Sequence, residues 1–90
     1  MAEGSERPTA QEWIAGFADQ LPAGSGGVPA TEEQRLILEL SRVAAHGSER
    51  IAAPIASYMV GMALAQRDTG SRLTELRRLI ETLEDAAERH

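Results

Sequence analysis

The sequence predicts an all-α fold, a small four-helix bundle with a short first helix, and two observations support this. Apolar residues recur every three or four positions through most of the chain, the spacing that places them on one face of a helix. No segment alternates apolar and polar residues as a half-buried strand would. A chain of 90 residues has room for one domain. We predict helices at residues 9–21, 31–47, 51–67 and 71–89.

Composition and charge limit the classes of partner. The chain has no cysteine, which excludes disulfides and thiolate sites and favours a cytoplasmic location. Its net charge of −5 opposes binding to nucleic acid or to an anionic membrane surface. Residues 1–8 are polar and aperiodic, which predicts a disordered tail, and they lack the pattern of a signal peptide. We therefore place the single helical domain at residues 9–90.

The first helix begins with a capping box, in which Thr9 and Glu12 satisfy each other's exposed backbone donors. Trp13 and Phe17 lie one turn apart, and we expect these rings to anchor the helix at one end of the bundle. The glycine-rich segment 22–30 follows. It lacks the preceding strand and the lysine of a phosphate-binding loop, so we interpret it as a flexible connector.

The second helix is predicted from another capping box, formed by Thr31 and Gln34, and from acidic residues that suit the positive end of the helix dipole. Its apolar residues have the helical period: Leu36, Ile37, Leu40, Val43 and Ala44. Gly47 and Ser48 can end this helix and begin the next one.

The third helix is expected to be the buried centre of the bundle, because residues 51–66 include no charged side chain. This uncharged segment is shorter than the roughly 20 residues that a membrane span requires. Two stripes of residues run along it at helical spacing. The bulky stripe is Ile51, Ile55, Tyr58, Met59 and Met62, and the small stripe is Ala53, Ser57, Gly61 and Ala65. We expect the bulky stripe to fill the core. The small stripe fits a close helix crossing within the chain, with a seam between two copies as the alternative.

The fourth helix is predicted to start at Ser71, after a turn at residues 68–71. Its apolar residues follow a heptad-like spacing: Leu73, Leu76, Leu79, Ile80, Leu83 and Ala87. Little more than two heptads are present, so this helix either closes the bundle or pairs with a second copy. The candidate interaction surface combines residues of the first and last helices: Trp13, Phe17, Leu76, Leu79 and Leu83.

A polar group lies at the junction of the second and third helices, at His46, Glu49 and Arg50. These side chains could receive an anionic group at two helix ends, or they could satisfy loose backbone groups of the junction. The sequence offers no set of metal ligands and no nucleophile beside a base. We therefore expect no metal site, no cofactor and no catalytic residue.

The chain contains an ordered set of residues: Trp13, Ala45-His46-Gly47, Arg50, Ala52-Ala53-Pro54 and Gly61. This set resembles a small helical family of unknown function from high-GC Gram-positive bacteria. Ile51 departs from the family pattern, in which proline often follows the arginine. Members of this family occur alone or joined to molybdenum-cofactor guanylyltransferase domains. The resemblance therefore implies an accessory role in molybdenum-cofactor maturation or beside a molybdenum enzyme, and it implies no catalytic residue.

The sequence thus leads to two functional expectations. The first is a non-catalytic interaction module that docks to a partner protein, such as a molybdenum-cofactor enzyme, or forms a homodimer. The alternative is a domain that binds a small anionic ligand, such as a nucleotide or cofactor, at His46 and Arg50.

Overall fold

A computed structural model describes residues 7–24 and 26–88 of the chain. It contains four helices: α1 (Ala10–Ala18), α2 (Thr31–Gly47), α3 (Ala52–Leu64) and α4 (Thr69–Glu88). No strand occurs within these residues, so the prediction of an all-α bundle of four helices is confirmed. Six of the tail residues, 1–6, lie outside the described part of the chain.

The centre of the bundle is α2, which packs against both α3 and α4. In the described residues, the buried apolar core consists of side chains from these three helices: Leu36, Leu40, Val43, Leu64, Leu76 and Ile80. The predicted capping box at Thr31 is wrong. The N-cap is Ala30, which makes no side-chain cap hydrogen bond. Gln34 instead uses its amide to donate to the carbonyl oxygen of Pro29, at 2.8 Å.

The position predicted for α3, as the buried centre of the bundle, is wrong. Its bulky stripe is exposed, with exposed fractions from 59% at Met59 and Met62 to 73% at Ile51. The opposite side of α3 packs on α2, where Leu64 is buried and Ser57 Oγ lies 2.8 Å from Ser41 Oγ. Both sides of α3 are apolar, so the helical period alone could not select the buried one.

α1 stands apart from the core. The predicted capping box is confirmed, because the Thr9 side chain accepts from the Glu12 amide and Glu12 accepts from the Thr9 amide. Trp13 and Phe17 stack at 5.2 Å between ring centroids, yet they remain 58% and 46% exposed. None of the nine residues of α1 is buried. The expectation that these two rings anchor α1 in the bundle is therefore wrong. Hydrogen bonds between the side chains of Gln11 and Gln34 join α1 to α2.

α4 begins two residues earlier than predicted. Asp68 accepts a hydrogen bond from the Ser71 amide at 2.8 Å, so the aspartate, and not Ser71, caps the first turn. Leu76 and Ile80 face the core, with Leu73 and Leu79 packed against it. α4 therefore closes the bundle, as one of the two alternatives predicted.

Residues 19–30 form the connector between α1 and α2. Its three glycines, Gly24, Gly26 and Gly27, have φ between 74° and 96°, a region that side chains with a Cβ rarely adopt. All described residues of the connector are exposed. Within the described residues, no helix combines the length and the apolar character needed to cross a membrane.

Candidate functional site

The most prominent surface of the molecule is the exposed side of α3. We call it the α3 outer face and define it by the five bulky residues Ile51, Ile55, Tyr58, Met59 and Met62, each at least 59% exposed. On α2, Leu38 is 71% exposed and lies one turn before Ser41, the residue that contacts α3. Leu38 therefore adds an exposed apolar side chain on the neighbouring helix.

The α3 outer face is also uncharged, whereas the ion pairs of the described residues involve α2, α4 and Arg67 in the turn after α3. Glu32 on α2 accepts from Arg77 on α4 at 3.1 Å, and Arg42 lies 3.6 Å from Glu84. The hydrogen bond from Arg35, with that from Arg77, lowers the pKa of Glu32 from 4.5 to about 2. These exposed pairs each contribute little to stability.

A groove of about 560 Å³ opens between α2, α3, α4 and the connector. Three residues of the small stripe, Ser57, Gly61 and Ala65, line it. A Cβ placed on Gly61 would meet no atom within 4 Å, so this glycine borders open space. The expected close helix crossing at Gly61 is therefore wrong.

A buried ion pair lies at one end of the groove. Arg72 Nε donates to Glu33 Oε2 at 2.6 Å and Arg72 Nη2 donates to Glu33 Oε1 at 3.1 Å. The Glu33 side chain is 8% exposed. Arg72 Nη1 also donates to the carbonyl oxygen of Arg67 at 2.6 Å, just after α3 ends. The hydrogen bonds that Arg72 donates to the Glu33 carboxylate raise the pKa of Arg72. This network ties α2 to the turn between α3 and α4, and its donors and acceptors already satisfy one another.

The side chains of the predicted junction site lie at the surface. His46, Glu49 and Arg50 are all exposed, and in the described part of the chain no hydrogen bond or ion pair involves their side chains. The backbone carbonyls of Glu49 and Arg50 accept from Ala52 and Ala53. The structure does not bring the three side chains into a shared site, and an anion site at His46 and Arg50 stays a prediction.

The predicted interaction surface divides into exposed and buried residues. Trp13 and Phe17 are accessible on α1, and Leu83 is 37% exposed on α4. Leu76 is 1% exposed, so it does not belong to a docking surface, and Leu79 is partly buried against the core. The heptad-like spacing of α4 therefore marks its contact with α2.

No group of three or more histidine, aspartate, glutamate or cysteine residues in the described ranges is placed to hold a metal ion. The groove and the Glu33–Arg72 pair were missed by sequence reasoning. Glu33 and Arg72 are 39 residues apart, so no local spacing in the sequence predicts their contact. The sequence did indicate the α3 outer face, because a helix that is apolar on every side needs a contact on every side.

Comparison with known proteins gives one match. No curated protein and no solved structure matches the chain. The family described as Domain of unknown function (DUF6457) matches residues 5–90, nearly the whole chain. The expectation of a small helical family of unknown function is confirmed, and the chain belongs to the DUF6457 family.

Proposed function

We propose that this domain is a non-catalytic interaction module that docks to a protein through the α3 outer face. The observation that carries the proposal is the set of five large apolar side chains, each at least 59% exposed, on a helix without a charged residue. Contiguous apolar patches larger than a few hundred Å² are uncommon on monomeric proteins and mark interaction sites.

The composition of the α3 outer face suits protein docking. Tyrosine and methionine are enriched at interfaces, and charged residues are depleted at interface centres. Tyr58 combines a large apolar ring with a hydroxyl that can find a partner, and the side chains of Met59 and Met62 adapt to an irregular surface. The charged residues on α2 and α4 can form the polar rim around such a contact.

The partner that we propose first belongs to the molybdenum-cofactor system. This proposal draws on the resemblance to a family found joined to molybdenum-cofactor guanylyltransferase domains in high-GC Gram-positive bacteria. We propose a cytoplasmic location because the chain has no cysteine to staple a small extracellular domain. This partner would bind to the α3 outer face.

Affinity capture from the native host tests the proposal. The full chain, an Ile55→Glu variant and a Thr74→Glu variant serve as baits. Ile55 lies at the middle of the α3 outer face and is 61% exposed, so a charge there disturbs docking and not the core. Thr74 is exposed on α4, on the side opposite the buried Leu76, and gives a control with the same added charge.

We expect the wild-type and Thr74→Glu baits to retain a common partner that the Ile55→Glu bait loses. Far-UV circular dichroism checks that all three baits are folded. Capture of the same proteins in equal amounts by all three baits would rule out docking through the α3 outer face. Capture that depends on Ile55 but contains no molybdenum-cofactor protein would rule out the proposed partner alone.

A further inference from the structure

We infer that the α3 outer face is a self-association surface, occupied by a second copy of this chain in a symmetric dimer. This inference rests on the proposed function, because the second copy and the host partner would compete for the same docking surface. It follows from three features of the described residues: the distribution of charge, the exposed area and the loose attachment of α1.

The distribution of charge allows a second copy to meet this face. The chain has a net charge of −5, so two copies repel each other when charged surfaces approach. The segment from Ile51 to Gln66 is uncharged. Two α3 outer faces can therefore meet about a twofold axis without placing like charges opposite one another.

The exposed apolar area of the α3 outer face is large, but it is smaller than the area that each partner of a stable interface buries. A whole aliphatic side chain accounts for roughly 120 Å² and an aromatic one for roughly 200 Å². With these values and the exposed fractions, the α3 outer face and Leu38 offer about 500 Å² of apolar surface. A stable interface needs about 800 Å² from each partner. The two outer faces alone therefore fall short of a stable dimer.

α1 can supply the remaining area. Trp13, Phe17 and Leu21 are at least 40% exposed, and together they add about 250 Å². α1 contributes no buried residue to its own bundle and follows an exposed connector that contains glycine. We therefore expect α1 to lie against the second copy beside the paired α3 helices.

Sedimentation of the full chain over a range of concentrations tests the inference. We expect the mass to approach twice 9.7 kDa as concentration rises. Each copy contributes one Ile55, so Ile55→Glu changes the dimer at two sites. A loss of about tenfold at each site predicts that the dissociation constant of the dimer rises about 100-fold or more. Thr74→Glu should leave the dimer unchanged, and Trp13→Ser should weaken it less than Ile55→Glu does.

Three results would overturn the inference. They are a wild-type chain that stays a monomer at the highest concentration, a dimer that Ile55→Glu leaves intact, and equal weakening by Thr74→Glu. Circular dichroism of each variant separates loss of the dimer from loss of the fold. If the wild type is a monomer but captures a host protein through Ile55, the self-association inference fails while the proposed docking function stands.

Discussion

The reversed orientation of α3 makes a quantitative prediction about stability. Leu40 on α2 is 1% exposed, whereas Met59 on α3 is 59% exposed. If α3 were the buried centre, truncation of Met59 would be the more damaging of the two changes. In the observed packing the order is reversed, and Leu40→Ala should be severely destabilising while Met59→Ala should be nearly neutral.

The magnitude for Leu40→Ala follows from its surroundings. Truncation of a buried leucine to alanine costs about 2–5 kcal/mol, and more where the cavity cannot relax. Leu40 also lines the groove, so the space left by its side chain joins an existing opening. We therefore expect the lower part of this range, about 2–3.5 kcal/mol. For a domain of this size, that loss lowers Tm by about 10–25 °C.

Thermal unfolding followed by far-UV circular dichroism measures both variants. The measurements belong at concentrations where the chain sediments as a monomer, so that a second copy adds no stability. Met59→Ala should change the free energy of unfolding by no more than about 0.5 kcal/mol, as for other exposed positions. A loss for Met59→Ala as large as that for Leu40→Ala would refute the packing of α3 described above.

Three further predictions concern individual residues. Gly61→Ala should stabilise the domain by about 0.5–1 kcal/mol in chemical denaturation, because the added methyl group meets no atom and alanine favours the helix; a destabilised variant would contradict the open groove. Glu33→Gln should lower Tm more than Glu39→Gln, because it removes the carboxylate of a buried pair, whereas Glu39 pairs with Arg42 on the surface; equal losses would contradict the buried network. The pKa of Glu32 is lower in the folded chain, about 2, than its usual 4.5, so its charge contributes stability above pH 4.5 that is lost as pH falls toward 2. Thermal unfolding between these pH values should therefore show a steeper loss of Tm in the wild type than in Glu32→Gln, and parallel pH profiles would refute this role of Glu32.

Local signals in the sequence predicted the helices well. The capping box at Thr9 and Glu12 places the start of α1, and the apolar period places α2 at the predicted residues. The start of α4 was misplaced because both Asp68 and Ser71 can act as N-caps, and only the hydrogen bond in the structure distinguishes them.

Packing was harder to predict than the helices themselves. A helix with one polar side reveals its buried face, as α2 does with Leu36 and Leu40. α3 has no polar side, so its sequence allows either face to meet α2. The exposure of Trp13 has a similar cause, because a pair of rings predicts an apolar contact without naming the surface that receives it.

The isolation of α1 has a consequence for proteolysis. The connector is exposed, and the six core side chains of the described residues all come from α2, α3 and α4. A protease that cleaves between residues 19 and 30 would release α1 and leave those six side chains packed together. One cut would therefore remove α1, with Trp13 and Phe17, from the proposed dimer while the remaining domain stays folded.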